Sequence, residues 1–389
     1  MTDKYQWQED ALKAWEDNNY QGIVECATGS GKTRFAIDCI KKLQTNTLII
    51  VPQRHLLHQW KKEILENTNI KEEEISFYYG DKKHKEIKPV TIAVINSARN
   101  IDFKNYFGLV ICDECHHYAS SINFTFLKMN NFVFNLGLTA TLKREDDLEE
   151  LLVEKLGKVI YRLSPKEGIK QKILSEFEIY NIPVMLNEEE HIKLENCNRV
   201  LIQHFREYQY DFNNLMYALK KGDVVAAKVI KAINGRKFVL TKAINKVKET
   251  IRLIFQHRKQ NIIVFCEMQE TAKKLYASLK MVPEMKVGIY ISGMKNKGVV
   301  EKFRNGEINI LISGRALDEG MDVKNADIGI IIGGSKTKRQ IIQRLGRILR
   351  NEEGKKAILY QLYVNNTKDE DWCRRRTSFL EDFASKIYW

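Results

Sequence analysis

The chain has 389 residues, more than one compact core accommodates, so two domains are expected, with room for a small third. Hydrophobic residues make up 44%, glycine and proline are sparse, no apolar run reaches a membrane span, and Met1–Gln8 is polar, so long disorder, membrane insertion and a signal peptide are not expected. The net charge of +13 suits a polyanionic partner, the alternative being a generally basic surface.

Short apolar runs alternate with helical patterns, the signature of parallel α/β domains. The first half predicts strands at Ile23–Cys26, Thr47–Val51, Thr91–Ile95, Leu109–Cys112 and Phe132–Leu138. The last third repeats the rhythm at Ile262–Cys266, Val287–Ile291, Ile308–Ser313, Ile328–Ile332 and Ile358–Tyr363. A boundary is expected near Leu163–Gly168, giving a first domain at 1–165 and a second at 166–389. Between the two sets of strands, about 195–259, the pattern is helical and reads as an insert associated with the second domain. From Arg199 to Lys259 there are fourteen Lys/Arg against four Asp/Glu, so most of the net charge lies there.

Seven cysteines are scattered through the chain, several in apolar runs. Free thiols in a reducing compartment, the cytosol or nucleus, are the simple reading. Cys112-Asp-Glu-Cys115-His116-His117 looks like half a zinc site, but no second ligand pair follows at zinc-finger spacing.

Ala27-Thr28-Gly29-Ser30-Gly31-Lys32-Thr33 follows a strand and opens a helix. Glycines there let backbone N–H groups wrap phosphates, and the helix N-terminus adds positive potential. Lys32 can reach the terminal phosphates of a bound nucleotide, and Thr33 can hold Mg²⁺ through its hydroxyl. The bland alternative is a flexible glycine turn.

Asp113-Glu114 follows the apolar strand Leu109–Cys112. Asp113 is the expected metal ligand, acting through water, and Glu114 the expected general base. Cations for the transferred phosphoryl group come late in the chain, in Gln340–Arg350. On a helix Gln343, Arg347 and Arg350 share a face, although a solvated basic face would look the same.

Taken in order, Gln8, the phosphate loop, Pro52…Gln59-Trp60, Asp113-Glu114-Cys115-His116, Thr139-Ala140-Thr141, Asp318-Glu319-Gly320 and Gln343-x-x-Gly346-Arg347-x-x-Arg350 resemble the motifs of superfamily 2 helicases. Leu136–Thr141 followed by Arg144-Glu145-Asp146, and Leu317–Asp322, resemble the XPB group within that superfamily. The resemblance implies two tandem RecA-like parallel-sheet domains with ATP and Mg²⁺ in the cleft between them, and a basic, thumb-like helical insert. It implies that Gln8 reads the adenine edge and that Thr28, Gly29, Ser30, Gly31, Gly320 and Asp322 complete the nucleotide site. Arg347 and Arg350 would act as arginine fingers. His116, Thr139, Thr141, Arg144, Glu145 and Asp146 would couple hydrolysis to motion. The chain starts at the Gln8 motif, so the group's upstream damage-recognition domain is not expected.

Backbone grip is expected from Arg54 and Ser97 on the first domain, Ser313 on the second, and Lys220, Lys221, Lys228 and Lys231 on the insert. Tyr208, Tyr210, Phe212 and Tyr217 would stack on bases or, the preferred reading, form the insert's own core. The expected track is DNA, with RNA as the alternative, and the default is a monomer. Competing readings are a motor subunit that works with a nuclease or accessory protein, and a nucleotide-dependent scaffold that no longer hydrolyses ATP. Intact Lys32, Glu114, Arg347 and Arg350 argue against the last.

Overall fold

The computed structural model describes residues 5–80, 86–103, 105–144, 146–291, 293–294, 298–314, 326–333, 357–382 and 384–389. Gly320, Asp322, Gln343, Arg347, Arg350 and Glu145 lie outside them. The described chain forms two compact units that part after Ser175.

In the first unit, β1 (Gln21–Cys26), β2 (Thr47–Val51), β3 (Ile75–Tyr78), β4 (Val90–Val94), β5 (Leu109–Asp113), β6 (Phe134–Thr139) and β7 (Val159–Leu163) form one sheet. Its order is β3-β4-β2-β5-β6-β1-β7, with parallel neighbours throughout. Every residue of β2 and β4 is buried, as expected for strands covered on both faces. Successive side chains feed opposite cores: Ile49 and Val51 enter one, Leu48 and Ile50 the other. The first core is filled by α1 (Gln6–Asp17), α2 (Lys32–Leu43) and α3 (His55–Asn67), which contribute Trp7, Trp15, Phe35, Trp60 and Ile64. The second takes residues from α4 (Ile95–Ala98), α5 (Phe124–Met129) and α6 (Glu149–Leu156), with Phe103, Phe107 and Tyr118. A short helix α7 (Pro165–Lys170) opens on a Ser164–Glu167 capping box with proline in its first turn.

The second unit repeats the arrangement. Strands β8 (Phe177–Val184), β9 (Ile262–Phe265), β10 (Val287–Tyr290), β11 (Ile310–Ser313), β12 (Ile328–Ile331), β13 (Ala357–Val364) and β14 (Lys386–Tyr388) lie in the order β10-β11-β9-β12-β13-β8-β14. The two tandem parallel-sheet domains expected from the sequence are therefore present. Four strands escaped the sequence reading. Of these, β7 is only partly buried, and β14 is a three-residue edge strand.

The helical insert leaves the second sheet after β8 and returns before β9. It comprises α8 (Glu188–His204), α9 (Phe212–Lys220), α10 (Val224–Lys242) and α11 (Ile244–Gln256). It opens earlier than the apolar pattern indicates, because Asn187 and Glu190 form a capping box. Leu194 of α8 and Leu240 of α10 join the sheet's core. Their far ends do not: Leu201, Tyr208, Leu215, Ala226, Val229 and Ala232 make a separate small core. Only Tyr208 of the four insert aromatics lies in it. Tyr210, Phe212 and Tyr217 are 62%, 54% and 62% exposed, which reverses the preferred core reading for those three. Among the described residues the remaining helices are α12 (Gln269–Lys280), α13 (Val299–Arg304) and α14 (Lys368–Ser378). Among the described residues no helix is long and apolar enough to cross a membrane.

A buried ion pair fixes the insert's last helix to the domain. Lys246 Nζ of α11 lies 2.5 Å from Asp369 Oδ2 of α14, and that oxygen also accepts the Val364 backbone N–H at 2.8 Å. Removing one partner of such a pair strands the other charge. Lys246→Met is expected to destabilise the second unit by about 3–5 kcal/mol, read as a lower denaturant midpoint. A loss below about 1 kcal/mol, the range of an exposed pair, would contradict this account of the anchor.

Candidate functional site

Parallel strands deliver their C-terminal ends to one edge, where ligands bind in open α/β sheets. On the first sheet that edge gathers the sequence motifs. The loop after β1 carries Ala27–Gly31 and leads directly into α2. Gly29 and Gly31 hold φ of +88° and +96°, a region costly for other residues. A Cβ on Gly31 would also lie 2.9 Å from Gln8 Nε2.

Two donors from α1 clasp the loop. Trp7 Nε1 donates to the Ser30 carbonyl at 3.1 Å, and Gln8 Nε2 to the Gly31 carbonyl at 3.2 Å. Both side chains are buried. Lys32 Nζ donates to the Cys26 carbonyl at 2.9 Å, so it crosses the mouth of the loop. Thr28 Oγ1 and Ser30 Oγ are buried without a hydrogen-bond partner. Thr33 lies in the first turn of α2, half-buried. A loop of turned glycines, unsatisfied hydroxyls, a lysine and a helix N-terminus is chemically suited to phosphate.

Asp113 ends β5, and Glu114 turns the chain with φ +48°. The turn is pinned by Tyr118, whose hydroxyl lies 2.9 Å from the Ile50 carbonyl and 2.8 Å from that of Asp113. The Asp113 carboxylate accepts the indole N–H of Trp60 at 2.9 Å. Burial, then repulsion from Glu114, raises the Asp113 pKa above the usual carboxylate range, while the Trp60 hydrogen bond and the Lys32 charge oppose the rise. Glu114 Oε2 is buried with no hydrogen-bond partner. It lies 3.5 Å from His116 Nδ1, a contact that becomes an ion pair only when the imidazole is protonated. Cys112 and Cys115 are fully buried, and burial pushes both thiols up.

His116 Nδ1 is 2.9 Å from Thr139 Oγ1 at the end of β6, and the same hydroxyl meets the Thr141 backbone N–H and carbonyl, each at 3.1 Å. Arg144 Nη1 donates to the His116 carbonyl at 2.5 Å. Its other nitrogens grip Asp146 at 2.7 and 2.6 Å, and this hydrogen bonding holds the Asp146 carboxyl at about 2. Glu25 on β1 accepts from the Leu142 N–H at 2.9 Å and from Arg162 at 3.0 Å. Hydrogen bonds therefore connect the ends of β5 and β6 and the loop beyond.

At the other half of the edge, Arg54 stands before α3 with its guanidinium 5.1 Å from the Tyr79 ring centroid. Ser97 Oγ accepts the Gly80 N–H at 3.1 Å. In the second unit Ser313 is buried and donates to the Gly314 carbonyl at 2.7 Å. Lys220, Lys221, Lys228 and Lys231 all lie on the insert, and all four are exposed. The sequence reading missed Trp7 and Tyr118 and gave Trp60 no role. A large aromatic beside each motif was the only signal.

Residues 2–144 match the model of the res subunit of type III restriction enzymes, and residues 245–352 the helicase conserved C-terminal domain. The DNA 3'-5' translocase XPB2 of Sulfurisphaera tokodaii is 29% identical over 95% of this chain and 83% of its own. The DNA 3'-5' helicase XPB of Kineococcus radiotolerans is 28% identical over 94% of this chain, which spans only 60% of that protein. Among solved structures, the Hef helicase domain of Pyrococcus furiosus superposes with a TM-score of 0.63 at 18% identity, over 95% of this chain and 97% of that one. Dbp5 of S. cerevisiae gives 0.65 at 13% identity, over 100% and 90%. The ordered motifs, the paired parallel sheets and both family models lead to one conclusion: the chain belongs to the superfamily 2 helicases, an XPB-like core of two RecA-like domains that hydrolyses ATP to act on nucleic acid.

Proposed function

We propose that this chain is a DNA translocase or helicase whose hydrolytic centre is the edge shared by residues 27–33 and Asp113–Glu114. The observation that carries the reading is the sheet order: β1, β6 and β5 are parallel neighbours, so the glycine loop after β1 and the carboxylates after β5 emerge on the same edge. Lys32 and the loop Thr28–Thr33, with Gln8 behind it, bind the nucleotide. Thr33, in the first turn of α2, and Asp113, at the end of β5, would hold a divalent ion with one hydroxyl and one carboxylate. Among the described residues no cluster of three or more His, Cys, Asp or Glu side chains could hold a metal alone, so phosphate and water complete the ligand set. Mg²⁺ supplies positive charge to the phosphate oxygens.

Glu114 takes a proton from the attacking water, for which its unpartnered oxygen is suited. Arg347, Arg350 and Gln343, with Gly320 and Asp322, complete the nucleotide site in this reading. His116, Thr139, Thr141, Arg144, Glu145 and Asp146 relay hydrolysis to motion. The domains part near residues 165–175, with the thumb-like insert spanning α8 to α11. DNA is preferred to RNA because the XPB relatives named above are DNA enzymes. Arg54 and Ser97 grip the backbone; Ser313 is the weaker member, since its hydroxyl is buried. The motor works as a monomer in the cytosol or nucleus, and any nuclease comes from a separate partner.

Glu114→Gln tests the base. It should retain ATP and DNA binding while turnover falls by about 10²–10⁴-fold; turnover at the parent rate would reject the assignment.

Gly31→Ala should weaken nucleotide binding by about 10- to 100-fold, the equivalent of backbone strain at one residue. Titration with a fluorescent ADP measures it, and parent-like affinity would remove the loop from the site.

Changing Lys220, Lys221, Lys228 and Lys231 together to Gln should flatten the dependence of log affinity on log salt, by about 0.9 for each phosphate of duplex DNA that the insert no longer neutralises. An unchanged slope would show that the insert does not grip the backbone.

A further inference from the structure

We infer that Trp60 is a positioning residue through which DNA bound at Arg54 and Ser97 sets the Asp113 carboxylate. The inference rests on the reading of that edge as the motor's nucleotide and DNA site. One helix carries both ends of the connection. Arg54 stands at the start of α3, against Tyr79 and Gly80 after β3, and Ser97 after β4 holds the Gly80 N–H. Six residues further on, Trp60 is 1% exposed and spends its single donor on Asp113 Oδ2. The parent strand β2 lies between β4 and β5 in the sheet, so α3 follows the strand that separates the grip from the carboxylate.

A buried indole N–H needs an acceptor, and any carbonyl would satisfy it. Here it reaches instead across 53 positions of sequence to a carboxylate of the hydrolysis motif. Trp60 packs in one core with Leu56, Leu57 and Ile64 of its own helix, so the ring moves with α3. Hydrogen bonds weaken steeply with distance and misalignment. A sub-ångström shift of α3 under DNA at Arg54 therefore changes how one Asp113 oxygen is held. Nothing between the two points has to refold. The bland alternative is a core tryptophan with a satisfied donor and no part in coupling.

Trp60→Phe keeps a ring in the core and removes the donor. Three readouts on the full chain separate the alternatives. The factor by which DNA stimulates ATP hydrolysis should fall about fivefold or more, the lower end of ordinary coupling between sites. The Mg²⁺ concentration needed for half-maximal binding of fluorescent ADP, with no turnover involved, should rise by about the same factor. In the parent protein, the Trp60 indole ¹⁵N–H resonance should shift on adding DNA without nucleotide, and the exposed substitution Arg54→Ala should abolish that shift. This last measurement stands even where Trp60→Phe folds poorly. An unmoved Trp60 resonance, or DNA stimulation and Mg²⁺ requirement unchanged in a folded Trp60→Phe, overturns the inference. Absence of DNA stimulation in the parent itself would instead overturn the motor reading on which it rests.

Discussion

In a parallel sheet every strand leaves along the same edge, and that constraint places the chemistry of this protein. The loop after β1, the carboxylates after β5 and the threonines after β6 are far apart in sequence. They become neighbours because β5, β6 and β1 are adjacent and run the same way. Buried strands supply the rigidity. Val110, Ile111 and Cys112 are fully buried, so Asp113 emerges from a fixed point. Tyr118 then fixes the turn that follows, and Trp7 fixes the phosphate loop from the other side. Large aromatic donors in the core hold the site together with the hydrogen bonds of motif residues such as Gln8, Lys32 and Thr139.

In the proposed reading the same edge separates two tasks. Its β3-β4-β2 half carries Arg54, Gly80 and Ser97, while its β5-β6-β1 half carries the nucleotide motifs. A motor needs those tasks linked without being merged. Helix α3 spans the division, and the Thr139–His116–Arg144 chain extends the nucleotide half toward the loop after β6. The insert is built on a different principle. Helices α8 and α10 each have one end in the second sheet's core and the other in a small core of the insert's own, which leaves Tyr210, Phe212 and Tyr217 exposed.

Much of this was legible from residues alone. Ten strands were visible because parallel strands covered on both faces read as unbroken apolar runs. Strand β8 was harder, since Glu178 and Tyr180 interrupt its apolar run, and β14 offers only three residues at an exposed edge. Residues 27–33 and Asp113–Glu114 stood out in the sequence because backbone geometry and metal chemistry restrict which residues can serve, and the sheet places both on one edge. The supporting hydrogen bonds were not. Trp60 and Asp113 meet only after β2 and β5 pair, and no spacing announces an acceptor across 53 positions. The insert aromatics misled for a local reason. Phe212 has helical spacing to the buried Leu215, yet it occupies the first turn of α9, at the margin of a core too small to cover it.

The central claim is that this edge hydrolyses ATP in response to a nucleic-acid track. The most direct test measures steady-state ATP hydrolysis by the full chain with no nucleic acid, single-stranded DNA, double-stranded DNA and RNA, each titrated to saturation. The account predicts strong stimulation by DNA, weaker stimulation by RNA, and loss of the stimulation as salt rises. Hydrolysis that is indifferent to every nucleic acid, or none at all with any of them, would contradict it.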